Sequence, residues 1–350
     1  MKVNVKLTVT LFFLAFVCGA CSDDETAFPV PDVRQIDTPL EVLRFDRDLA
    51  ALDTAAMAAG IAALDSTYTD FAGVYFKNLV PMRRGDIPPA EQPYLLQAFL
   101  TYPLIEEISQ RVQDRFTDAA LAEQQRQLEQ ALRYYKYYLP EAPRPDTLVT
   151  YFSQFELAAF LYGDGNLAVG LDFFLGPGFD YAAVDPREPI FSRYLSRSYT
   201  PEHLTAKLMR VLIEDYVPRP RAGRLVDYLA YEGKILFLLD RVLPETPDSI
   251  LHEVSTAEMD WLRENEIRIY AHLQKEEQFY STSTDLVRKL TQPAPSSPGM
   301  PPESPGRAVN YLGKRIVEDY VRNNPRVSME QLLAMEDGQK ILAGARYKPR

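Results

Sequence analysis

The sequence predicts an α+β fold, namely one helix-dominated domain with a small β-sheet. Three observations support this prediction. Long segments carry apolar residues at steps of three and four, which is the period of a helix with one buried face. Short alternating or fully apolar runs, bounded by glycine and proline, lie between these segments and predict strands. No repeat and no clear linker divides residues 41–350, so we assign them to a single domain.

The first half of this domain is predicted to contain all of the strands. Residues 41–48 alternate apolar and polar side chains, which places Asp46 and Phe45 on opposite sides of a strand. Residues 163–166 (Gly-Asp-Gly-Asn) form a strong turn signal and predict a hairpin. The other predicted ranges are 49–64, 68–80, 91–101 and 117–138 for helices, 148–153 for a strand, and 155–162 with 167–175 for the two arms of the hairpin.

The second half is predicted to be helical apart from one loop. Residues 292–305 contain six prolines, so this run cannot form a helix or an inner strand. Ser304 and Pro305 then have the residue types of an N-cap and of a first helical position. Besides the helix that they open, the predicted helices cover residues 200–216, 222–240, 255–279, 328–335 and 337–343.

The N-terminus has the features of a secretory signal peptide over residues 1–20. Lys2 and Lys6 precede an apolar run that is too short to remain in a bilayer as a spanning helix. Gly19-Ala20-Cys21 resembles the lipobox of bacterial lipoproteins, in which the signal is cleaved before a cysteine that carries diacylglycerol. We therefore predict lipidation of Cys21 and a flexible tether over residues 21–40. Cys18 stands where leucine is commonest, and ordinary secretion with cleavage after Ala20 is the alternative.

The charge and the cysteine content exclude several classes of function. The formal net charge is −11, and removal of Lys2 and Lys6 with the signal peptide lowers it by two, to −13. An acidic chain without a basic stripe is a poor binder of nucleic acid. Cys18 and Cys21 are the only cysteines, so no disulfide or thiolate chemistry is expected in the folded domain. The acidic run at residues 23–25 fits either a solvated tether or an export tag for the cell surface.

A carboxylate interrupts the apolar stripe of the helix predicted at residues 222–240. Leu225, Leu229, Leu236 and Leu239 follow helical steps, and Glu232 stands where the pattern asks for another leucine. A buried carboxylate requires a partner or a function, because burial of an unpaired charge is costly. Zinc proteases carry a glutamate in a similar place, inside His-Glu-x-x-His. Here Tyr231 and Ile235 occupy the two histidine positions, so the helix has the shape of a zincin helix without its metal ligands.

The remaining residues predict no catalytic centre, no cofactor and no metal. A zinc site needs three or four ligands, whereas His203, His252 and His272 lie on different segments and none is four residues from another. The nucleophile elbow Gly-x-Ser-x-Gly and the phosphate-binding loop are both absent.

Two interpretations of Glu232 stay open. It is either a buried carboxylate paired with Arg307, Lys314 or a tyrosine hydroxyl, or a base or ligand contact in a cleft with Tyr231 nearby. Lys234, two residues farther on, should point to another side of the helix.

Several short motifs together resemble the gliding-motility lipoproteins of the GldB type. They are the lipobox at Cys21, Val42-Leu-Arg-Phe-Asp46, Val169-Gly-Leu-Asp-Phe-Phe-Leu-Gly176, Tyr231-Glu-Gly-Lys234, Trp261 with Asn265-Glu266, Ser304-Pro-Gly-Arg307, Gly313-Lys-Arg-Ile-Val317 and Tyr347-Lys-Pro349. The resemblance implies a cell-envelope lipoprotein that is required for gliding, in organisms that link gliding to a dedicated secretion system. It also implies a distant kinship to predicted His-Glu-x-x-His zinc proteases, hence a zincin-like domain, and it supplies no established catalytic residue.

Three functional hypotheses follow. The first is a non-enzymatic, lipid-anchored protein of the outer membrane that acts through protein partners of the motility or secretion apparatus. The alternative is a degenerate zincin-like pseudoenzyme or hydrolase that binds peptides or peptidoglycan in a cleft around Glu232, with Tyr231, Lys234 and Arg307 as further candidates. A third hypothesis, a solute-binding lipoprotein, requires two domains around a pocket, and the sequence lacks a two-domain pattern.

Overall fold

The computed structural model describes residues 28–350, and residues 31–350 form one compact unit. The predicted signal peptide, the lipidated Cys21 and the acidic run at 23–25 lie outside the described residues. The segment predicted as a tether is described from Phe28 onward. Val33, Thr38 and Leu40 are buried, and the Thr38 hydroxyl donates to the carbonyl of Glu129 at 3.0 Å. Residues 31–40 are therefore part of the folded body and not a tether.

The sheet has four strands in the order β1-β2-β4-β3. They are β1 (Glu41–Arg44), β2 (Thr147–Tyr151), β3 (Ala159–Tyr162) and β4 (Asn166–Gly170). β2 pairs in parallel with β1 and β4, with Val42 opposite Leu148, whereas β3 and β4 form the predicted antiparallel hairpin. The parallel pairs need long crossovers, and the helices between β1 and β2 provide one of them.

Two predicted strands are shorter than the alternation of their residues suggested. The strand predicted at 41–48 ends at Arg44, and helix α1 (Phe45–Ala50) follows. The start of α1 packs Phe45 against Tyr68 and Phe71. It also buries the Asp46 carboxylate, which accepts a hydrogen bond from Arg44 at 2.6 Å. The hairpin arm predicted at 167–175 likewise ends at Gly170 and continues as a 3₁₀ turn, Leu171–Phe174, in which all four residues are buried. Tertiary contacts override the local pattern at both points.

The prediction of a helix-dominated α+β domain is confirmed, since residues 28–350 contain seventeen α-helices. Besides α1, five of them were not predicted, namely those at residues 103–115, 181–184, 193–196, 248–251 and 284–291. The helix predicted at 255–279 is divided at Asn265, whose side chain donates to the carbonyl of Trp261. The zincin-like character of the fold stays a prediction. After α1, the helices are α2 (Met57–Thr67), α3 (Thr69–Val74), α4 (Gln92–Leu100), α5 (Pro103–Arg115), α6 (Asp118–Tyr138), α7 (Tyr181–Val184), α8 (Arg193–Ser196), α9 (Pro201–Tyr216), α10 (Leu225–Val242), α11 (Asp248–Leu251), α12 (Thr256–Glu264), α13 (Glu266–Lys275), α14 (Thr284–Thr291), α15 (Ala308–Asn323), α16 (Met329–Ala334) and α17 (Gly338–Ala345).

Helix α10 lies at the centre of the C-terminal half, where it packs against α9, α15 and α17. α10 and α15 approach each other at Gly233 and Gly313. A Cβ atom at Gly233 would lie 2.3 Å from the carbonyl oxygen of Gly313, and one at Gly313 would lie 2.2 Å from that of Leu229. These distances are shorter than any van der Waals contact, so glycine at both positions allows the two backbones to touch. The motif segments at 231–234 and 313–317 therefore meet directly.

Residues 292–307 connect α14 to α15, and the start of α15 differs from the prediction. Ser304 was predicted as the N-cap and Pro305 as the first helical residue, but α15 begins at Ala308 after Arg307, which has φ +53°. The Ala308 amide donates to Ser297 Oγ at 3.0 Å, and the Ser297 hydroxyl donates to the carbonyl of Pro305 at 2.7 Å. The cap thus comes from the middle of the proline-rich run and not from the residue adjacent to the helix.

Candidate functional site around helix α10

Glu232 on α10 is buried and pairs with an arginine of α9. Its Oε2 atom accepts a hydrogen bond from Arg210 Nη2 at 2.7 Å, and the residue is only 8% exposed. The Nε atom of Arg210 contacts Glu214 at 2.6 Å, so one guanidinium serves two carboxylates. Arg307 and Lys314, which the sequence suggested as partners of Glu232, form ion pairs with other residues. The structure therefore gives Glu232 a partner, but a different one from those proposed.

The arginine belongs to a polar stripe on α9 that the sequence reasoning missed. His203, Lys207, Arg210 and Glu214 follow one another at steps of four, three and four, so they share one side of the helix. All four are partly buried, although most surface helices place such residues in water. The signal was therefore present in the sequence, as a charged stripe whose arginine is complementary to Glu232 of α10.

Arg307 pairs with Glu253, which directly follows helix α11 and its C-cap residue His252. Arg307 Nη2 donates to Glu253 Oε2 at 2.7 Å, and Lys207 donates to the other carboxylate oxygen. Burial by itself would raise the pKa of the Glu253 carboxyl, but the positive charges of Lys207, Arg307 and Arg210 outweigh burial and hold this pKa well below 4.5. Glu253 and Arg307 both adopt left-handed backbone conformations, at φ +52° and +53°. We call the six residues Lys207, Arg210, Glu214, Glu232, Glu253 and Arg307 the α9–α10 ionic network.

Lys234 and Tyr231 lie on other sides of α10. The Nζ atom of Lys234 donates to the carbonyls of Leu333 at 2.8 Å and Met335 at 2.6 Å, at the C-terminal end of α16. A cation at this end complements the helix dipole, although burial lowers the lysine pKa to about 8. Tyr231 is half-buried against the hydrophobic core, and burial raises its pKa. Glu232, Lys234 and Arg307 thus contact α9, α16 and residue 253, and the four candidate residues do not converge on one cleft.

A small cavity lies beside the network, and Glu232 does not line it. The cavity volume, counted as the space open to the centre of a water-sized sphere, is about 10 Å³. Its lining includes Arg210, His252, Arg307 and Asn310. His252 Nε2 and Asn310 Oδ1 are buried and have no hydrogen-bond partner within residues 28–350. Burial, with Lys314 nearby, lowers the pKa of His252 to about 3, so its ring is neutral at pH 7. The space suits a single water molecule and is too small for a substrate.

A second ionic cluster joins the remaining motif segments. Lys314 on α15 contacts Asp248 at 3.1 Å and Asp240 at 3.3 Å. The next residue, Arg315, contacts the buried carboxylate of Glu266 at 3.0 Å, and the Tyr347 hydroxyl donates to the other oxygen of Glu266 at 2.6 Å. The sequence motifs at 265–266, 313–317 and 347–349 therefore form one packed unit.

A comparison with protein families identifies the family of this chain. Residues 28–349 match the family described as gliding motility protein GldB. The chain belongs to this family. The match covers the whole described body except its last residue, which agrees with the way the separate motifs pack together. A search of curated proteins and a search of solved structures give no match to this chain.

As a member of the GldB family, the protein is a gliding-motility lipoprotein of the cell envelope. Between residues 28 and 350, no helix combines the length and the apolar character that a membrane-spanning segment needs. The same residues hold no group of three or more histidine, cysteine or acidic side chains arranged to bind a metal ion.

The ion pairs of the GldB-family site determine whether its carboxylates are free to act on a substrate. The α9–α10 ionic network contains three cationic and three acidic side chains, and each contacts a group of opposite charge. A general base or nucleophile must be able to reach a substrate. In this network Glu232 forms an ion pair with Arg210, while Glu253 forms ion pairs with Lys207 and Arg307. These ion pairs connect α9, α10 and the start of α15.

Proposed function

We propose that this lipoprotein acts without catalysis, as an anchored component of the gliding-motility apparatus that binds protein partners. The observation that supports the proposal is the pairing of Glu232. The one carboxylate that occupies the position of a zincin glutamate is held by Arg210 at 2.7 Å and does not line the small cavity beside the network. In this proposal α10 serves as scaffold and its charges hold neighbouring helices in register.

The location follows from the same proposal. Residues 1–20 direct export, and Cys21 carries a lipid that anchors the body to the outer membrane. A lipid anchor lets the folded body remain in the aqueous phase beside the membrane and meet envelope proteins there. The pseudoenzyme hypothesis, with peptide or peptidoglycan bound around Glu232, remains the competing proposal, and the zincin-like kinship is its only support.

Complementation of a strain that lacks the gene tests these proposals. We expect Glu232→Gln to restore gliding, because a glutamine can still accept a hydrogen bond from Arg210 and catalysis is not needed. We expect Cys21→Ser to abolish gliding and to release the protein from the membrane fraction. Circular dichroism and thermal unfolding of each purified variant establish that it is folded.

Two results would contradict the non-catalytic proposal. One is a Glu232→Gln protein of normal stability that fails to support gliding, since this assigns a chemical or ligand-binding role to the carboxylate. The other is stoichiometric zinc in protein purified without chelator, since a structural scaffold of this kind needs no metal.

A further inference from the structure

A groove separate from the α9–α10 ionic network runs between α6, the first turns of α9 and residues 242–250. Its volume is about 860 Å³, which lies within the range of ligand-binding pockets. Ala131, Ala206, Leu243 and Ile250 contribute apolar surface to it. The lining residues of α6 extend from Glu123 to Tyr134. At 1.5 Å per residue, this stretch is about 17 Å long, enough for about five residues of an extended chain.

Three glutamines of α6 give this groove unused hydrogen-bonding groups. Gln124 accepts a hydrogen bond from Thr205 at 3.2 Å, and Gln130 accepts one from Arg133 at 3.1 Å, so both keep their NH₂ groups as donors. Gln127 donates to Glu123 at 3.0 Å and keeps its carbonyl oxygen as an acceptor. Within the described part of the chain these remaining groups have no partner. The glutamines therefore offer both donors and acceptors to the groove, at three-residue steps of α6.

An extended polypeptide matches this arrangement. Its backbone presents N–H and C=O groups in alternation, whatever its sequence, and side-chain amides can pair with both. The apolar surface between the glutamines and residues 242–250 can receive the side chains that alternate with them along a strand.

The charges of the groove indicate which polypeptide would bind. Arg126 forms an ion pair with Glu123, so the two neutralise each other. Glu202 and Glu245 also line the groove, and neither has a cation within salt-bridge distance among residues 28–350, although Glu202 hydrogen-bonds with Thr200 and lies in the field of Arg115. These two carboxylates give the groove lining a net negative charge, which favours a positively charged ligand.

We propose that this groove binds an extended, lysine- or arginine-containing segment of a partner protein. The proposal rests on the proposed function, because it names the chemistry of the partner that the lipoprotein would bind. The site is independent of Glu232, so variants of the α9–α10 ionic network should leave it intact.

Fluorescence polarisation tests the charge and the position of the site. The probes are a labelled decapeptide of alternating valine and lysine and its counterpart with glutamate in place of lysine. We expect the lysine peptide to bind and the glutamate peptide not to bind. The double variant Glu202→Gln/Glu245→Gln should weaken binding about tenfold, since it removes two exposed charge interactions. The matched control Glu106→Gln/Glu276→Gln removes two exposed carboxylates outside the groove and should change affinity less than twofold.

Equal losses in the two double variants would overturn the proposal, because binding would then reflect net charge alone. Binding of both peptides, or of neither, would overturn it as well. Thermal unfolding of both double variants establishes that any loss of binding is not a loss of fold.

Photo-crosslinking in cells identifies the occupant. The full-length protein carries p-benzoylphenylalanine at Gln127 in the groove or, as control, at Gln110, an exposed glutamine of α5 that also donates to a carboxylate of its own helix. We expect crosslinks from position 127 to a basic segment of an envelope protein. Crosslinks only from position 110 would overturn the groove and leave partner binding intact. Crosslinks from position 127 to glycan, lipid or an acidic segment would overturn the proposed occupant, and an absence of crosslinks from both positions would count against the groove and the proposed function together.

Discussion

Asp172 and Glu253, one in each half of the domain, are stabilised in opposite ways. Asp172, in the 3₁₀ turn after β4, is completely buried, and its Oδ2 atom accepts hydrogen bonds from the amides of Ser153 at 3.0 Å and Phe155 at 2.8 Å. Glu253, in the helical half, is held by Lys207 and Arg307. Burial raises the pKa of Asp172 to about 6, in spite of the amides, whereas the cations lower the pKa of Glu253.

The difference shows what each carboxylate stabilises. Gln154 and Phe155 have φ of +62° and +65°, and two consecutive non-glycine residues in the left-handed region are unfavourable. Asp172 compensates by binding amides of this turn, as an anion binds to a concave set of backbone N–H groups. Glu253 instead joins α9 to the start of α15 through side chains. One carboxylate fixes a loop conformation, and the other fixes the relative position of helices.

The largest effect is expected when a cation is removed from the helical half. Arg210→Met leaves the buried Glu232 without its partner, and the loss of one member of a buried pair costs about 4 kcal/mol of unfolding free energy. Arg288→Met is the control, since Arg288 forms an exposed pair with Asp285 and should cost less than about 1 kcal/mol. Urea unfolding of the three proteins measures both values. Similar losses in both variants would show that the network stabilises no more than a surface pair.

The pH dependence of stability should separate the two carboxylates. Because the Asp172 pKa is raised from 3.8 to about 6, its contribution is complete below pH 4 and is lost as the pH rises to 6. The stability of the wild type relative to Asp172→Asn should therefore fall by about 3 kcal/mol over this interval. For Glu253, whose pKa is lowered, the stability relative to Glu253→Gln should instead be complete above pH 4.5 and decrease toward lower pH. Urea unfolding between pH 3 and 8 measures both slopes, and slopes of the same sign would refute the contrast.

A smaller effect is expected from the contact between α10 and α15. Gly233→Ala places a methyl group 2.3 Å from the carbonyl oxygen of Gly313, so the helices must separate, at a cost of about 2 kcal/mol. Gly73→Ala in α3 is the control, because its Cβ would meet no atom within 4 Å. Alanine has the higher helix propensity, so this control should gain up to about 1 kcal/mol. A stabilised Gly233→Ala protein would mean that the two backbones do not touch.

Local sequence patterns predicted the elements whose structure depends on near neighbours. The leucine steps of α10 correspond to a helix that is buried along most of its length, with Leu225, Leu229 and Leu236 in the core. The turn at residues 163–166 lies between β3 and β4 as its glycines suggested. In both cases the residues that decide the structure lie within a few positions of one another.

Contacts between distant residues account for what the sequence did not predict. The partner of Glu232 lies 22 residues away on another helix. The early end of β1 depends on Asp46, which accepts a hydrogen bond from Thr150, 104 residues farther along the chain. Several cations could have paired with Glu232 on grounds of charge alone, and only the packing of α9 against α10 selects Arg210. The sequence showed that Glu232 needed a partner but could not identify it.

The smallest effect concerns the cap of α15, which also depends on a distant residue. Ser297 Oγ accepts from the Ala308 amide at 3.0 Å, so Ser297→Ala should cost about 1 kcal/mol, as the loss of an N-cap usually does. Ser296→Ala is the control, because Ser296 is exposed and makes no hydrogen bond through its side chain within residues 28–350. Hydrogen exchange should show faster exchange in the first turn of α15 for Ser297→Ala alone. If Ser304→Ala gave that result and Ser297→Ala did not, Ser304 would be the cap, as the sequence predicted.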